Sequence, residues 1–175
     1  MTLAISYKPA AASNYNRGRP GAIDMVVMHV EEGSEVGTAA TFADATRHAS
    51  AHYGIGKNGL VDQFVADCDT AWHAGNGTIN RRSLGIEMEG FTASFAPTIA
   101  QMSAAIELVG TLCMKYTIPI DRQHIIGHSE VPDPIHPGQL GGANNHTDPG
   151  PNFDLNGFVA AVAAFVATPQ APSTV

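Results

Sequence analysis

From Pro97 to Tyr116 the apolar residues return at helical spacing: Ile99, Met102, Ala105, Ile106, Val109, Leu112 and Cys113 follow the i, i+3, i+4, i+7 rule. A helix with one apolar stripe must lie on another apolar layer. The runs on either side have the other period. Ser83 to Glu89 alternates Leu84, Ile86 and Met88 with Gly85, Glu87 and Glu89, the pattern of a half-buried strand that puts both glutamates on one face. Ile23 to Val30 is a β-branched run stopped by Glu31-Glu32-Gly33-Ser34, which predicts a buried strand and a loop. Asn58-Gly59 between His52–Ile55 and Leu60–Val65 predicts a hairpin. Val36 to His48 and Phe158 to Val166 read as helices, Gln123 to Gly127 as a short strand, and Val131 to Asn145 as a long loop rich in Pro, Gly and Asn. The predicted class is α/β, a central mixed β-sheet flanked by α-helices. Residues 1–22 read as an irregular leader, 23–167 as one catalytic-sized domain, and 168–175 as a flexible tail or linker stub.

The charge balance excludes some partners. A formal net charge of −7 with nine Lys and Arg in 175 residues is a poor basis for nucleic-acid binding. No apolar run is long enough for a membrane span, so no membrane insertion is expected. Met1 to Ala12 has one Lys and no apolar core, so it does not read as a signal peptide, and synthesis in the cytoplasm is expected. Cys68 and Cys113 match no paired spacing and read as buried free thiols, with a single disulfide as the alternative. A monomer is the default expectation.

Gly127-His128-Ser129-Glu130 is followed by His146-Thr147-Asp148-Pro149-Gly150-Pro151, and His29 ends the first apolar run. Two imidazoles and a carboxylate are what a catalytic zinc site needs: three protein ligands and one open position. A lone His in an apolar run is more often a core residue, and Asp before Pro-Gly is more often a turn residue. His124 and His128, at i and i+4, are no metal pair if Ile125-Ile126 is strand, because a strand sets them about 13 Å apart. His48 and His52 form H-x-x-x-H without the glutamate of a zincin motif, and His48 reads as a residue of the helix C-terminus.

Val27-Met28-His29, Ser50-Ala51-His52-Tyr53, Ala71-Trp72-His73-Ala74-Gly75, Ser83 to Gly90, Gly127 to Glu130 and Thr147 to Pro151 occur here in one order. That series resembles the zinc-dependent N-acetylmuramoyl-L-alanine amidases of the type 2 family, which share a fold with peptidoglycan recognition proteins. The resemblance implies one Zn²⁺ per chain held by His29, His128 and Asp148, and cleavage between the lactyl group of N-acetylmuramic acid and L-alanine. It implies Glu87 as general base and His146 as the group that polarises the scissile carbonyl. His146 in place of Asp148 as the third ligand is the alternative. Tyr53, Trp72, His73 and Asn76 are expected along the substrate cleft. Trp72 reads equally as a plate for substrate and as core. The implied partner is peptidoglycan or a muropeptide. A lytic enzyme would act at the wall and a recycling amidase in the cytoplasm. The remaining alternative is a non-catalytic binding module, which in this fold commonly lacks the third ligand.

Overall fold

The computed structural model describes residues 3–168. Its centre is a six-stranded sheet built from β1 (Ile5–Tyr7), β3 (Met25–Val30), β4 (Tyr53–Ile55), β5 (Val61–Gln63), β7 (Ser83–Met88) and β8 (Ile125–Gly127). The spatial order is β1-β5-β4-β7-β3-β8. Only the β4–β5 hairpin is antiparallel; β1–β5, β4–β7, β7–β3 and β3–β8 are parallel. Two short strands, β2 (Tyr15–Asn16) and β6 (Thr70–Ala71), pair separately. The helices are α1 (Glu35–Ala43), α2 (Gly77–Arg82), α3 (Ile99–Tyr116) and α4 (Leu155–Ala167).

Strand alternation sorts the two faces. Val26, Met28 and Val30 of β3, Tyr53 and Ile55 of β4, and Leu84, Ile86 and Met88 of β7 share one buried cluster with Leu108, Val109 and Leu112 of α3 and Phe158 and Val162 of α4. The opposite face keeps His29 and Glu87, which are register partners on β3 and β7. Gly54 lies beside Glu87 on β4, and the Phe64 ring packs over it, where a Cβ would stand 2.7 Å away, so the row's polar side chains are those of His29 and Glu87. Thr98 caps α3 by accepting from the Gln101 N–H, and Thr117 ends it in the left-handed region at φ 57°.

Several sequence expectations shift. The first 22 residues are not wholly irregular: β1 extends the sheet, and Lys8 and Ala10 donate to the carbonyls of Gln63 and Phe64. α1 stops at Ala43, not His48, because Asp44 Oδ1 accepts from the Thr46 N–H and hydroxyl and turns the chain away. His48 then sits in a loop at φ 53°. The Asn58-Gly59 hairpin forms through a longer loop, with the Gly59 N–H on the Gly56 carbonyl. α4 starts at Leu155, where Asp154 accepts from the Gly157 N–H. Cys68 is exposed; Cys113 is buried as expected. The tail beyond Thr168 lies outside the described residues.

Candidate metal centre

Three segments far apart in sequence deliver three donors to one point. His29 is the fifth residue of β3. His128 opens a one-turn 3-10 helix directly after β8. Asp148 lies in a loop tied to both: the Ser129 N–H donates to its carbonyl at 2.9 Å and the Val30 N–H to its Oδ2 at 3.4 Å. Gly127 makes this docking possible, since a Cβ there would stand 2.7 Å from Pro149 Cδ.

His29 Nδ1 lies 3.0 Å from His128 Nδ1 and 3.3 Å from Asp148 Oδ2, and His128 Nδ1 lies 3.3 Å from Asp148 Oδ1. All three residues are buried, with donor atoms within 4.8 Å of one another. Donors bonded tetrahedrally at about 2.0–2.1 Å stand roughly 3.3 Å apart, so the spacing fits zinc. Burial lowers both imidazoles. Glu87 and Asp148 bring His29 back above its ordinary value, whereas His128, facing His29, is pushed down to about 4. Burial works to raise Asp148, but hydrogen bonds from His128, His146 and His29 outweigh it and hold the carboxyl well below the usual range.

A hydrogen-bond chain fixes the His29 tautomer. The Ser83 hydroxyl donates to the Ile79 carbonyl at 2.7 Å, which leaves its oxygen to accept from His73 Nε2–H at 3.1 Å. His73 Nδ1 therefore accepts from His29 Nε2–H at 3.0 Å, and the His29 Nδ1 lone pair points at the cluster. His73 is buried and pushed well below its ordinary value by burial and by His29, so it stays neutral for this role. Its ring packs against Gly85, where any Cβ would approach to 2.5 Å. Sequence reading assigns His73 to substrate. In the structure His73 lines the cleft and also bridges His29 to Ser83, a second contact that the Ser83-x-Gly85-x-Glu87 face makes legible.

A cleft of about 640 Å³ opens over the cluster, lined by His29, Glu87, His128, His146 and Asp148 together with Glu31, Thr38, Arg47, His48, Trp72 and His73. Glu87 is raised to about 7, by burial first and by Asp148, with His29 and His146 opposing. His146 stays at the rim, 43% exposed, its ring stacked on His128 at 4.1 Å and its Nδ1 3.6 Å from Asp148 Oδ1. Trp72 is partly buried and faces the cleft, with Nε1–H on Asn16 Oδ1 at 2.6 Å.

Two expected cleft residues are elsewhere. Tyr53, the register partner of Ile86, is on the helix-covered face of the sheet, the face away from Glu87, and its hydroxyl donates to Asp67 at 2.6 Å. Asn76 caps α2 by accepting from the Thr78 and Ile79 N–H groups, and its Nδ2 holds the Pro132 carbonyl. His52 is also structural. It is fully buried, accepts from the Gly85 N–H and is driven to about 3 by burial and by Arg19. His124 sits beside Asp121, away from the cluster. Glu31 lines the cleft without having been expected, its carboxyl raised to about 9 by burial and by Glu87.

A family model described as N-acetylmuramoyl-L-alanine amidase matches residues 18–151. N-acetylmuramoyl-L-alanine amidase A of Achromobacter lyticus is 30% identical over 166 residues, 87% of this chain and 89% of that protein. 1,6-Anhydro-N-acetylmuramyl-L-alanine amidase AmpD of Salmonella typhimurium is 36% identical over 65% of this chain, which spans 57% of that protein. Among solved structures, an AmpD derivative superposes with a TM-score of 0.71 at 26% identity, covering 92% of this chain and 99% of its own. The amidase LysC of Clostridium intestinale superposes at 0.59 and 20% identity, covering 93% and 99%, and supports the fold alone. With the family model matched across most of its length, the chain belongs to the N-acetylmuramoyl-L-alanine amidase family.

Proposed function

We infer that the chain hydrolyses the amide bond between the lactyl group of N-acetylmuramic acid and L-alanine in peptidoglycan, with one zinc ion held by His29, His128 and Asp148. The observation that carries this reading is the register pairing of Glu87 with His29, which sets a carboxylate raised to about 7 beside three converged donors. Bound zinc supplies a Lewis acid for a carbonyl oxygen and makes a neighbouring water more acidic. Glu87, in the cleft, takes the proton of the attacking water and returns it to the leaving amine. His146, at the exposed rim, donates toward the carbonyl oxygen as negative charge develops there. The orienting chain through His73 and Ser83 keeps His29 Nδ1 unprotonated during turnover.

A binding module without catalysis is disfavoured, because both Asp148 and Glu87 are present in the cleft. The test is release of new L-alanine amino termini from purified wall. Glu87→Ala should keep zinc and lose turnover by on the order of a hundredfold or more; full activity in that variant would remove Glu87 from the mechanism. Polymeric wall is the proposed substrate, in keeping with the likeness to the Achromobacter amidase across 87% of the chain. Recycling of soluble muropeptides is the second reading, favoured by the TM-score of 0.71 against AmpD. Rates on intact sacculi and on soluble muropeptides, measured side by side, separate them.

A further inference from the structure

His73 sits in a socket, and the walls of that socket are themselves tied together. The Ser83 hydroxyl meets its Nε2 at 3.1 Å. Asn80 Oδ1 accepts from the His73 N–H at 3.3 Å and from the Ala74 N–H at 2.8 Å. Gly85 lies against the ring. His52, fully buried, stands edge-on to it, with the ring centroids 5.7 Å apart at 72°. His29 closes the far side, edge-on at 5.1 Å and 88°.

His52 grips Gly85 twice. Its backbone N–H donates to the Gly85 carbonyl, and the Gly85 N–H donates to His52 Nδ1, both at 3.0 Å. With that lone pair used, the His52 ring carries its proton on Nε2, which faces the Asp69 carbonyl at 3.3 Å. Arg19, half-buried, ties these walls to one another. Its Nη1 donates to the carbonyls of Asn80 and Ser83, each at 3.1 Å. Its Nη2 lies 2.8 Å from His52 Nε2 and donates to the Asp69 carbonyl at 2.7 Å, and its Nε donates to the Asp67 carbonyl at 3.1 Å. One planar guanidinium thus joins three residues that surround His73, a geometry a Lys cannot reproduce. Volume alone would call for apolar side chains here, since burying an imidazole and a guanidinium costs desolvation. The hydrogen bonds that offset this cost run to the residues around one ring.

We propose that His52 and Arg19 are positioning residues of the metal centre, which act through His73 to aim His29 Nδ1 at the ion. The proposal rests on the zinc reading and adds the residues that set the ligand's aim from beyond its own hydrogen-bond partner. If Gly85 loses the grip of His52, the His73 ring against it shifts, and the 3.0 Å hydrogen bond from His29 Nε2–H to His73 Nδ1 shifts with it. If Arg19 lets go of Asn80 and Ser83, the backbone and the Nε2 end of His73 are released together.

The test is a set of variant cycles read by metal binding. Zinc affinity is measured by competition with a chelator, and cobalt(II) loaded in place of zinc gives visible bands that follow the ligand geometry. His52→Leu, His52→Asn and Arg19→Lys are each made in the natural chain and in His73→Ala. His52→Leu and Arg19→Lys should weaken zinc binding roughly fivefold to tenfold and shift the cobalt bands. His52→Asn, whose amide oxygen can accept from the Gly85 N–H, should lose less than His52→Leu. In the His73→Ala background none of the three should weaken zinc binding further, because the residue they act through is gone. Natural zinc affinity in folded His52→Leu and Arg19→Lys chains would overturn the proposal, as would equal losses with and without His73. If His52→Leu does not fold, Arg19→Lys and His52→Asn carry the same comparison. A natural chain that takes up neither zinc nor cobalt would overturn the metal reading and this proposal with it. A chain that binds zinc as expected but leaves wall uncut would count against the amidase reading alone.

Discussion

His73 sits one bond away from the chemistry, and its effect should be measurable there. It accepts from His29 Nε2–H and donates to Ser83, so His73→Ala should weaken zinc binding by about tenfold to a hundredfold with the fold intact. Competition against a chromophoric chelator reads this directly. Glu35 offers a separate test at a distance from the ligands. Burial, then a hydrogen bond shared with Asp62, raises it from its ordinary 4.5 to about 7. Between those values the folded chain holds more protons than the unfolded one, so stability falls as pH rises. The Glu35 contribution is fully present below about pH 4.5 and lost through about pH 7. Buried His52, His73 and His128, shifted the other way, oppose this, so the test is the difference between chains. Glu35→Gln should make the change in melting temperature across that window less negative or more positive than in the natural chain, and an unchanged slope would remove Glu35 as a contributor. At this scale much was legible in the sequence. Motifs and period-2 alternation are enough to bring His29, His128 and Asp148 to one point and Glu87 onto the same face as His29, whereas Tyr53 lies away from the cleft. The same alternation, extended to Gly54 and Ile55, puts Tyr53 on the apolar face, because a shift of one residue along a strand reverses the side.

Elements explain why the chain tolerates so little at certain small residues. Gly85 of β7 lies under the His73 ring, with an added Cβ meeting three ring atoms at 2.5–2.8 Å. Gly85→Ala should therefore cost about 1–3 kcal/mol in urea unfolding, and should lower metal affinity as well, since the displaced ring takes His29 with it. A loss of stability with unaltered metal affinity would separate the two. The 131–145 loop is more ordered than a Pro- and Gly-rich run suggests. Pro132 bridges to Leu140, the Gly141 and Gly142 N–H groups donate to the Val131 carbonyl, and the Ala143 N–H donates to the Gly75 carbonyl. This docking brings Asn144 to the cleft edge. Replacing 133–139 with a short Gly-Ser link should leave metal affinity unchanged and alter KM, read by steady-state kinetics on wall fragments. The elements missed by sequence reading share a cause. β1, β2 and the six-residue α2 are too short for periodicity to register, and the early end of α1 is decided by one side-chain turn at Asp44.

Across the whole molecule, α3 and α4 cover one side of the sheet. On the other, α1 and α2 pack with smaller apolar clusters and leave the cleft over His29 and Glu87 between them. That mixed class is readable from the alternation of strand and helix periods along the chain. Among the described residues no helix is long and apolar enough to cross a membrane. A zinc ion held at this centre would tie β3, the segment after β8 and the Asp148 loop together, so metal binding should add to global stability. At a free zinc concentration about a thousandfold above Kd the gain is about 4 kcal/mol, or roughly ten degrees in Tm for a domain of this size. Thermal unfolding with and without a chelator measures it, and an unchanged Tm would mean that the three segments hold no ion. The donors stand at positions 29, 128 and 148, the last of them near the end of the fold. A nascent chain that has not yet passed position 148 lacks one of the three proposed donors, so any fragment that stops short of it should hold zinc far more weakly than the folded domain.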